Sequence, residues 1–238
     1  MFFLKKIIYK IEKKRIASYE RYIINTYKKC VLNTQADKEF LGNSESMYVY
    51  SMGINCLKQI PSEYNKNKIV FVGNMRTLQN QDAVQFFVYD ILPLVKQEIP
   101  QVVFHIIGAE PPVSIQKMAD DKSIIVSGFV PSVEDEIKDA AIAVAPVRIA
   151  AGIQNKVLIS MACSVPVVLT SLISVGIPEL ISNENCIIAD GKINFANAVI
   201  SLMQNENMRN RIGRAGYDMV GTEYSWNKTL EGYEEGLL

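Results

Sequence analysis

No two of the four cysteines, Cys30, Cys56, Cys163 and Cys186, form a CxxC pair, so neither a zinc site nor a thioredoxin-like motif can be read from them. Their wide separation fits reduced, buried thiols of a cytosolic protein. Net charge is missing too: 25 Lys and Arg balance 25 Asp and Glu, which speaks against whole-chain nucleic-acid binding. The balance hides a local excess. Residues 1–30 carry nine Lys or Arg against Glu12 and Glu20, about +7 there and about −7 in the remainder. The start, MFFLKKIIYKIEKKR, has short apolar clusters broken by lysines and no small-residue cleavage site, so it does not read as a secretory signal. One window, residues 157–178, lacks charge over a membrane-spanning length. Pro166 at its centre, four serines and the β-branched PVVLTS assign it instead to a helix, turn and strand inside a core. There is no internal repeat and no low-complexity linker.

What is present is an alternation of short apolar runs and amphipathic ones, in a composition (49% hydrophobic, 21% charged) that suits a soluble globular chain. From residue 68 onward the apolar runs are KIVFVG, QVVFHIIG, SIIVSGF, AIAVAPV, PVVLTS and CIIAD. They are almost continuously apolar, which predicts strands covered on both faces, as in a parallel sheet between helices. Helical spacing falls between them in QDAVQFFVYDILPLVKQEI, VEDEIKDA and NKVLISMAC, and the tail predicts two or three helices with a break near Gly221. This order predicts a doubly wound α/β domain over residues 61–238. Residues 1–60 read differently: a long basic helix over 2–29, a short strand at CVLNT, a helical turn or two at QADKEFL and another strand at MYVYSM. Such a βαβ-like unit is too small to bury its own sheet faces and must pack on something else. IPSEYNKNK at 60–68 reads as a hinge.

In an open parallel sheet ligands bind beyond the carboxyl ends of the strands, where loops and helix N-termini converge. Here the strands end in Gly73 and Asn74, Gly108, Gly128, Pro146 and then Gly152. Arg148 and Lys156 flank the helix entry Gly152, Ile153, Gln154 and Asn155, so an anion, and specifically a phosphate, is the natural occupant. A dinucleotide-binding domain needs GxGxxG at the first strand-to-helix turn, whereas GNMRTLQNQD has a single glycine, although Glu110 stands where a ribose-binding acid is expected. No GxxxxGK[ST] loop exists either. Structural alternatives stand beside each candidate. Lys156 could be a surface lysine with no role, and Arg148 an ion-pair partner of Glu179 or Asp190. His105, in mid-strand, reads as a packed or edge-exposed histidine rather than a catalytic one. Trp226 reads as a core anchor for the last helix.

The segments FVGNMRTLQNQDAVQFFVYDILPLV, FHIIGAEPP, SGFVPSVEDEIKDA, AVAPVRIAAGIQNKVLISMACSVPVVLTS, GI at 176 and YSW at 224–226 together resemble the carboxyl-terminal, donor-binding half of GT-B glycosyltransferases, specifically the large retaining group often called family 4. The likeness spans about residues 30 to 236. It implies a Rossmann-like domain that grips the diphosphate of a nucleotide-sugar donor, used as substrate with no metal or other cofactor. It implies further that Lys156 and a cation near the first strand, for which Arg76 is the substitute, contact the phosphates; Lys156 and Arg148 are the catalytic candidates, expected to stabilise the leaving diphosphate. Gly73 and Asn74 leave room for the diphosphate or sugar, and Gly128 and Phe129 approach the base. Three positions depart from the pattern: Ile159 stands where relatives carry a ribose-binding glutamate, Gln79 where many have a lysine, and Ala150 where the motif has its first glycine.

The resemblance also implies that residues 1–60 match only the last helix and final strands of the amino-terminal, acceptor-binding half. Most of that half is then expected to be absent, through truncation or a split gene, or to come from another chain. The basic first helix, with Phe2, Phe3, Leu4, Ile7 and Ile8, either lies on an anionic membrane surface or exposes a stripe that drives self-association. The expected setting is a cytoplasmic transferase of bacterial surface polysaccharide assembly, with an inactive binding or assembly subunit as the rival from another class.

Overall fold

The computed structural model describes residues 2–61, 63–149 and 152–237, with side chains over 6–61, 63–149 and 152–234. The departure at Ala150 and the side chains of Phe2, Phe3 and Leu4 therefore lie outside the described residues. The chain begins with helix α1 (Phe2–Thr26), strand β1 (Cys30–Leu32), helix α2 (Gln35–Phe40) and strand β2 (Met47–Val49). Strands β1 and β2 pair in parallel, Cys30 opposite Met47. Thr34 caps α2: its Oγ1 accepts from Asp37 N–H at 2.9 Å and donates to the Asp37 carboxylate at 2.6 Å.

The larger unit runs β3 (Asn65–Val72), α3 (Leu78–Phe86), α4 (Leu92–Glu98), β4 (Val103–Ile107), α5 (Val113–Gln116), β5 (Ile124–Gly128), α6 (Val133–Ile137), β6 (Ala140–Ala145), α7 (Asn155–Ala162), β7 (Val167–Leu169), α8 (Ser171–Ser174), β8 (Ile187–Ile188), α9 (Lys192–Gln204), α10 (Glu206–Glu223) and α11 (Trp226–Leu237). Its six strands are all parallel in the order β5-β4-β3-β6-β7-β8. The chain winds outward from β3 through β4 to β5, then returns to the other side of β3 with β6. The switch point lies between β3 and β6, and the loops after those strands face each other across it. The apolar runs become strands because both faces are covered: every residue of β6 is buried, and Phe71, Phe87, Phe104 and Phe195 are fully buried. Phe87 meets the Phe104 ring at 4.4 Å between centroids and Phe195 edge-on at 6.4 Å.

Between α3 and α4 the helix widens to a π-turn over Phe87–Ile91, where Leu92 N–H reaches the carbonyl of Phe87, five residues back. Pro93 follows at the start of α4 and has no N–H to continue the ladder, which is why the register resets there. The uncharged window 157–178 divides into α7, β7 and α8. Among the described residues no helix is long and apolar enough to cross a membrane.

Three local expectations are corrected. The helix break expected near Gly221 falls a few residues on, at Tyr224–Ser225, and Gly221 itself lies inside α10. The segment crossing from β2 decides this: Ile54 N–H donates to the Tyr224 carbonyl at 2.6 Å and Ile54 bridges Ser225. The expected hinge at 60–68 is strand over its second part, 65–68, because Asn65 N–H bonds the Asp139 carbonyl at 2.7 Å and Lys68 joins the ladder; Ser62 lies outside the described residues. Trp226 is 44% exposed, so it is no core anchor; it lies against Gly53, where there is no room for a side chain. The small sheet is covered by the chain's own end, with Tyr233 of α11 packed on Tyr50 at 4.8 Å.

Candidate functional site

Hydrogen bonds that continue past the strand ends hold the rim of the crevice in one row. Gly73 N–H donates to the Ile107 carbonyl at 3.0 Å, Met75 N–H to Ala109 at 3.1 Å, and Gly108 N–H to Gly128 at 3.0 Å. Gly108 has to be glycine: a β-carbon there would overlap the Gly73 carbonyl. Asn74 then turns the chain into α3. Its Oδ1 accepts from Arg76 N–H at 3.0 Å, and its carbonyl accepts from Thr77 Oγ1 at 3.1 Å and Asn80 Nδ2 at 2.9 Å. Asn80 is buried, and its Oδ1 has no hydrogen-bond partner among the described residues. Phe129, after β5, is 78% exposed on the rim.

Across the switch point, Gly152 turns with φ +62° and its carbonyl lies so close to Gly176 that a side chain at Gly176 would overlap it. The GI pair at 176–177 thus seats the glycine loop. Ile153 is half-buried against the core, Gln154 is buried and precedes α7, and Asn155 and Lys156 open the helix. The Lys156 ammonium donates to Gln154 Oε1 at 3.0 Å and sits 5.6 Å from the centre of the Phe71 ring. No carboxylate pairs with it among the described residues, and desolvation lowers its pKa to about 8. The ammonium is held half-buried over an aromatic face at the start of α7.

The other cations of the crevice are neutralised locally. Arg148 forms a two-pronged pair with Asp82 of α3, Nε to Oδ2 at 2.9 Å and Nη2 to Oδ1 at 2.6 Å, and lies 4.4 Å from the centre of the Phe86 ring. That bond raises the guanidinium's pKa further. The structure thus corrects the expected partners: Glu179 accepts from Tyr224 Oη at 2.5 Å and the Asp190 carboxylate from Ser171 N–H at 3.0 Å. Arg76 pairs with Glu110 at 2.5 Å, both exposed. Ile159 packs partly buried against the core one turn along α7, and Ser160 returns its hydroxyl to the Lys156 carbonyl at 2.8 Å. His105 is a packed histidine, bonded to Ser127 and with its pKa lowered by desolvation and by Lys68.

Sequence reasoning missed Asp82, Phe71, Phe86 and Asn80. Asp82 and Phe86 lie four apart on α3, one helical face, and that spacing was the available signal for an arginine platform. A second cleft of about 340 Å³ adjoins the glycine loop, lined by Ile153, Gly176 and Glu179 on one side and by Asn33, Tyr50 and Ser51 after β1 and β2 on the other.

A family model described as glycosyl transferases group 1 matches residues 66–205, more than half of the chain. The chain belongs to the group 1 glycosyltransferases. Its fold is the Rossmann-like α/β arrangement of the GT-B enzymes. A point mutant of S. aureus TarM, solved with fondaparinux, alpha-GlcNAc-glycerol and UDP, superposes with TM-score 0.76 at 21% identity, covering 91% of this chain and 45% of that one. Anabaena HepE in complex with UDP and glucose gives TM-score 0.73 at 11% identity, covering 93% and 67%. The pneumococcal O-GlcNAc transferase GtfA in complex with UDP and GlcNAc gives 0.73 at 12%, covering 91% and 46%. At such identities the likeness speaks to fold. The chain spans about half the length of TarM and GtfA. A search of curated proteins returns no match.

Proposed function

We propose that residues 61–238 form the donor-binding half of a retaining glycosyltransferase, and that residues 1–60 are the adjoining end of an acceptor-binding half. The reaction moves a sugar from a nucleotide diphosphate to a hydroxyl of a saccharide or lipid-linked acceptor, in bacterial surface polysaccharide assembly. The rest of the acceptor half is supplied by another chain or by self-association. The observation that carries the reading is Lys156: a desolvated ammonium that no carboxylate among the described residues pairs, at the switch point, on a helix N-terminus. A diphosphate there supplies the missing negative charge, and as the glycosyl bond breaks the ammonium and the N–H groups of Asn155 and Lys156 stabilise the charge growing on the leaving oxygen. No metal is required for that step. Arg148 and Arg76, each already neutralised by a carboxylate, orient rather than discharge the phosphates. Gly73, Asn74, Gly152, Ile153 and Gln154 shape the floor, and Gly128 and Phe129 offer an apolar edge to the base.

The test is calorimetric titration of the purified chain with UDP, GDP and dTDP. Binding of at least one, lost in Lys156→Ala, is expected; no binding to any of them overturns the reading. One observation favours the rival, a non-catalytic binding or assembly subunit: the alkyl group of Ile159 stands where the ribose acceptor is expected, and a site that cannot hold ribose loses much of its nucleotide affinity.

A further inference from the structure

At the amino-terminal ends of the strands, the pole of the sheet opposite Lys156, lies a cavity of about 280 Å³, well above the roughly 15 Å³ that one water needs. Tyr64 just before β3, Ala140 at the start of β6, Pro166 just before β7 and Arg209 of α10 line it. Arg209 is the buried cation of this pole, only 4% exposed. Its Nη1 donates to the Leu202 and Met203 carbonyls at the end of α9, both at 3.1 Å, and its guanidinium carbon lies 4.4 Å from the centre of the Tyr64 ring. Those contacts fix the fork and use one nitrogen of three. Nε is sealed from water without a partner, and Nη2 has none among the described residues. Tyr64 Oη is likewise sealed and unpartnered. All three groups carry a hydrogen to give; what they lack is an acceptor.

Charge points the same way. Among the described residues no carboxylate acts on the guanidinium, and burial alone lowers its pKa. The last carbonyls of α9 offset about half a unit of its charge and leave the rest uncompensated. Lys138 and Arg214 reach the same cavity, each paired a few residues away, with Asp135 at 2.5 Å and Asp218 at 3.1 Å. Both pairs are exposed, so exchanging their partner costs little. Glu206 is the carboxylate at the cavity and is exposed. The Cys163 thiol, pushed up to about 12 by burial, adds no charge. We propose that this cavity binds a phosphate group, with Nη2 of the fixed Arg209 fork as its anchor and Lys138 and Arg214 closing over it. A carboxylate would satisfy the fork alone; three cations against Glu206 call for a dianion, carried by free phosphate or by a phosphate monoester. The site lies at the far end of the sheet from the donor crevice and does not rest on the reading of that crevice.

The experiment is NMR titration of the full chain with inorganic phosphate and, separately, with glycerol 3-phosphate, following the Arg209 Nε–H resonance in the parent and in Lys156→Met. A saturable shift with the same Kd in both proteins is expected. Lys138→Gln with Arg214→Gln should weaken binding by roughly two- to twentyfold, and Glu206→Gln should tighten it by about twofold or more. These side chains are exposed, so the variants keep the parental Tm to within about 2 °C. Arg209→Gln should abolish binding; because it also uncaps α9, the exposed variants decide the matter where it fails to fold. Tighter binding of glycerol 3-phosphate assigns the remaining volume to the organic part of an ester, and tighter binding of phosphate assigns the site to the free ion. No saturable shift at Arg209 with either ligand overturns the proposal. So does a shift that Lys156→Met abolishes, which puts the ion in the donor crevice, and so does one that Lys138→Gln with Arg214→Gln leaves unchanged.

Discussion

The two walls of the crevice differ in how they handle positive charge. On the α3 wall, Arg148 is clamped by Asp82 and stacked on Phe86, and Arg76 is met by Glu110, so each cation is cancelled where it stands. On the α7 wall Lys156 has an amide and an aromatic face but, among the described residues, no carboxylate, and its pKa falls to about 8. A count of basic residues treats the walls as equal; desolvation separates them. A charge already paired in water gains little from a new anion, whereas a desolvated unpaired one gains much.

The sharpest way to break this comparison is Lys156→Met, which keeps the stem and removes the charge. UDP affinity is expected to fall by about 10- to 100-fold, the worth of hydrogen bonds to a charged group. The nucleotide-free protein should gain stability, with Tm higher by about 2 °C or more, because a poorly solvated charge is gone. Calorimetry and thermal melts check both; a lower Tm with unchanged affinity would make Lys156 structural.

Next in size is pH. The folded pKa of Lys156 lies below lysine's ordinary 10.5, so the cost of burying the charged form is present below about pH 8 and is relieved as pH rises toward the unfolded value. Anion binding runs the other way. Affinity for UDP is full below about pH 8 and drops by up to about tenfold per pH unit above it, until the raised pKa of the complex is reached. Titrations across that range check the slope, and Lys156→Met should flatten it.

Ile159→Glu sharpens the comparison within the α7 wall. If the ribose pocket persists, UDP tightens by roughly tenfold while pyrophosphate, which has no ribose, gains nothing. Equal change for both ligands would mean that the pocket is gone. The smallest effect belongs to Asp82→Asn, which frees Arg148. Because that pair is exposed, UDP affinity should rise by only about two- to threefold, and more at low salt.

Much of this architecture was legible because it is written locally. The six apolar runs became the six parallel strands, and glycines at the strand ends marked the rim. What local pattern could not say was which carboxylate answers which cation. Glu179 and Asp190 were as available to Arg148 as Asp82, and the winding that sets β6 beside β3 carried it to α3, 66 positions away. The tail break lies slightly beyond its expected place for a similar reason: Gly221 is a weak helix former, but the crossing segment at Ile54 fixes the end at Tyr224. Only the second part of the hinge expected at 60–68 became strand, from Asn65 onward, once Asp139 supplied its partner.

The most direct measurement is NMR titration of the Lys156 side chain, through its ε-carbon and ζ-nitrogen shifts, with and without saturating UDP. The account predicts a pKa of about 8 in the free protein, rising by two units or more toward lysine's ordinary value when UDP binds. A lysine that titrates near 10.5 without ligand, or whose pKa is unmoved by bound UDP, would contradict the placement of a diphosphate on the α7 wall.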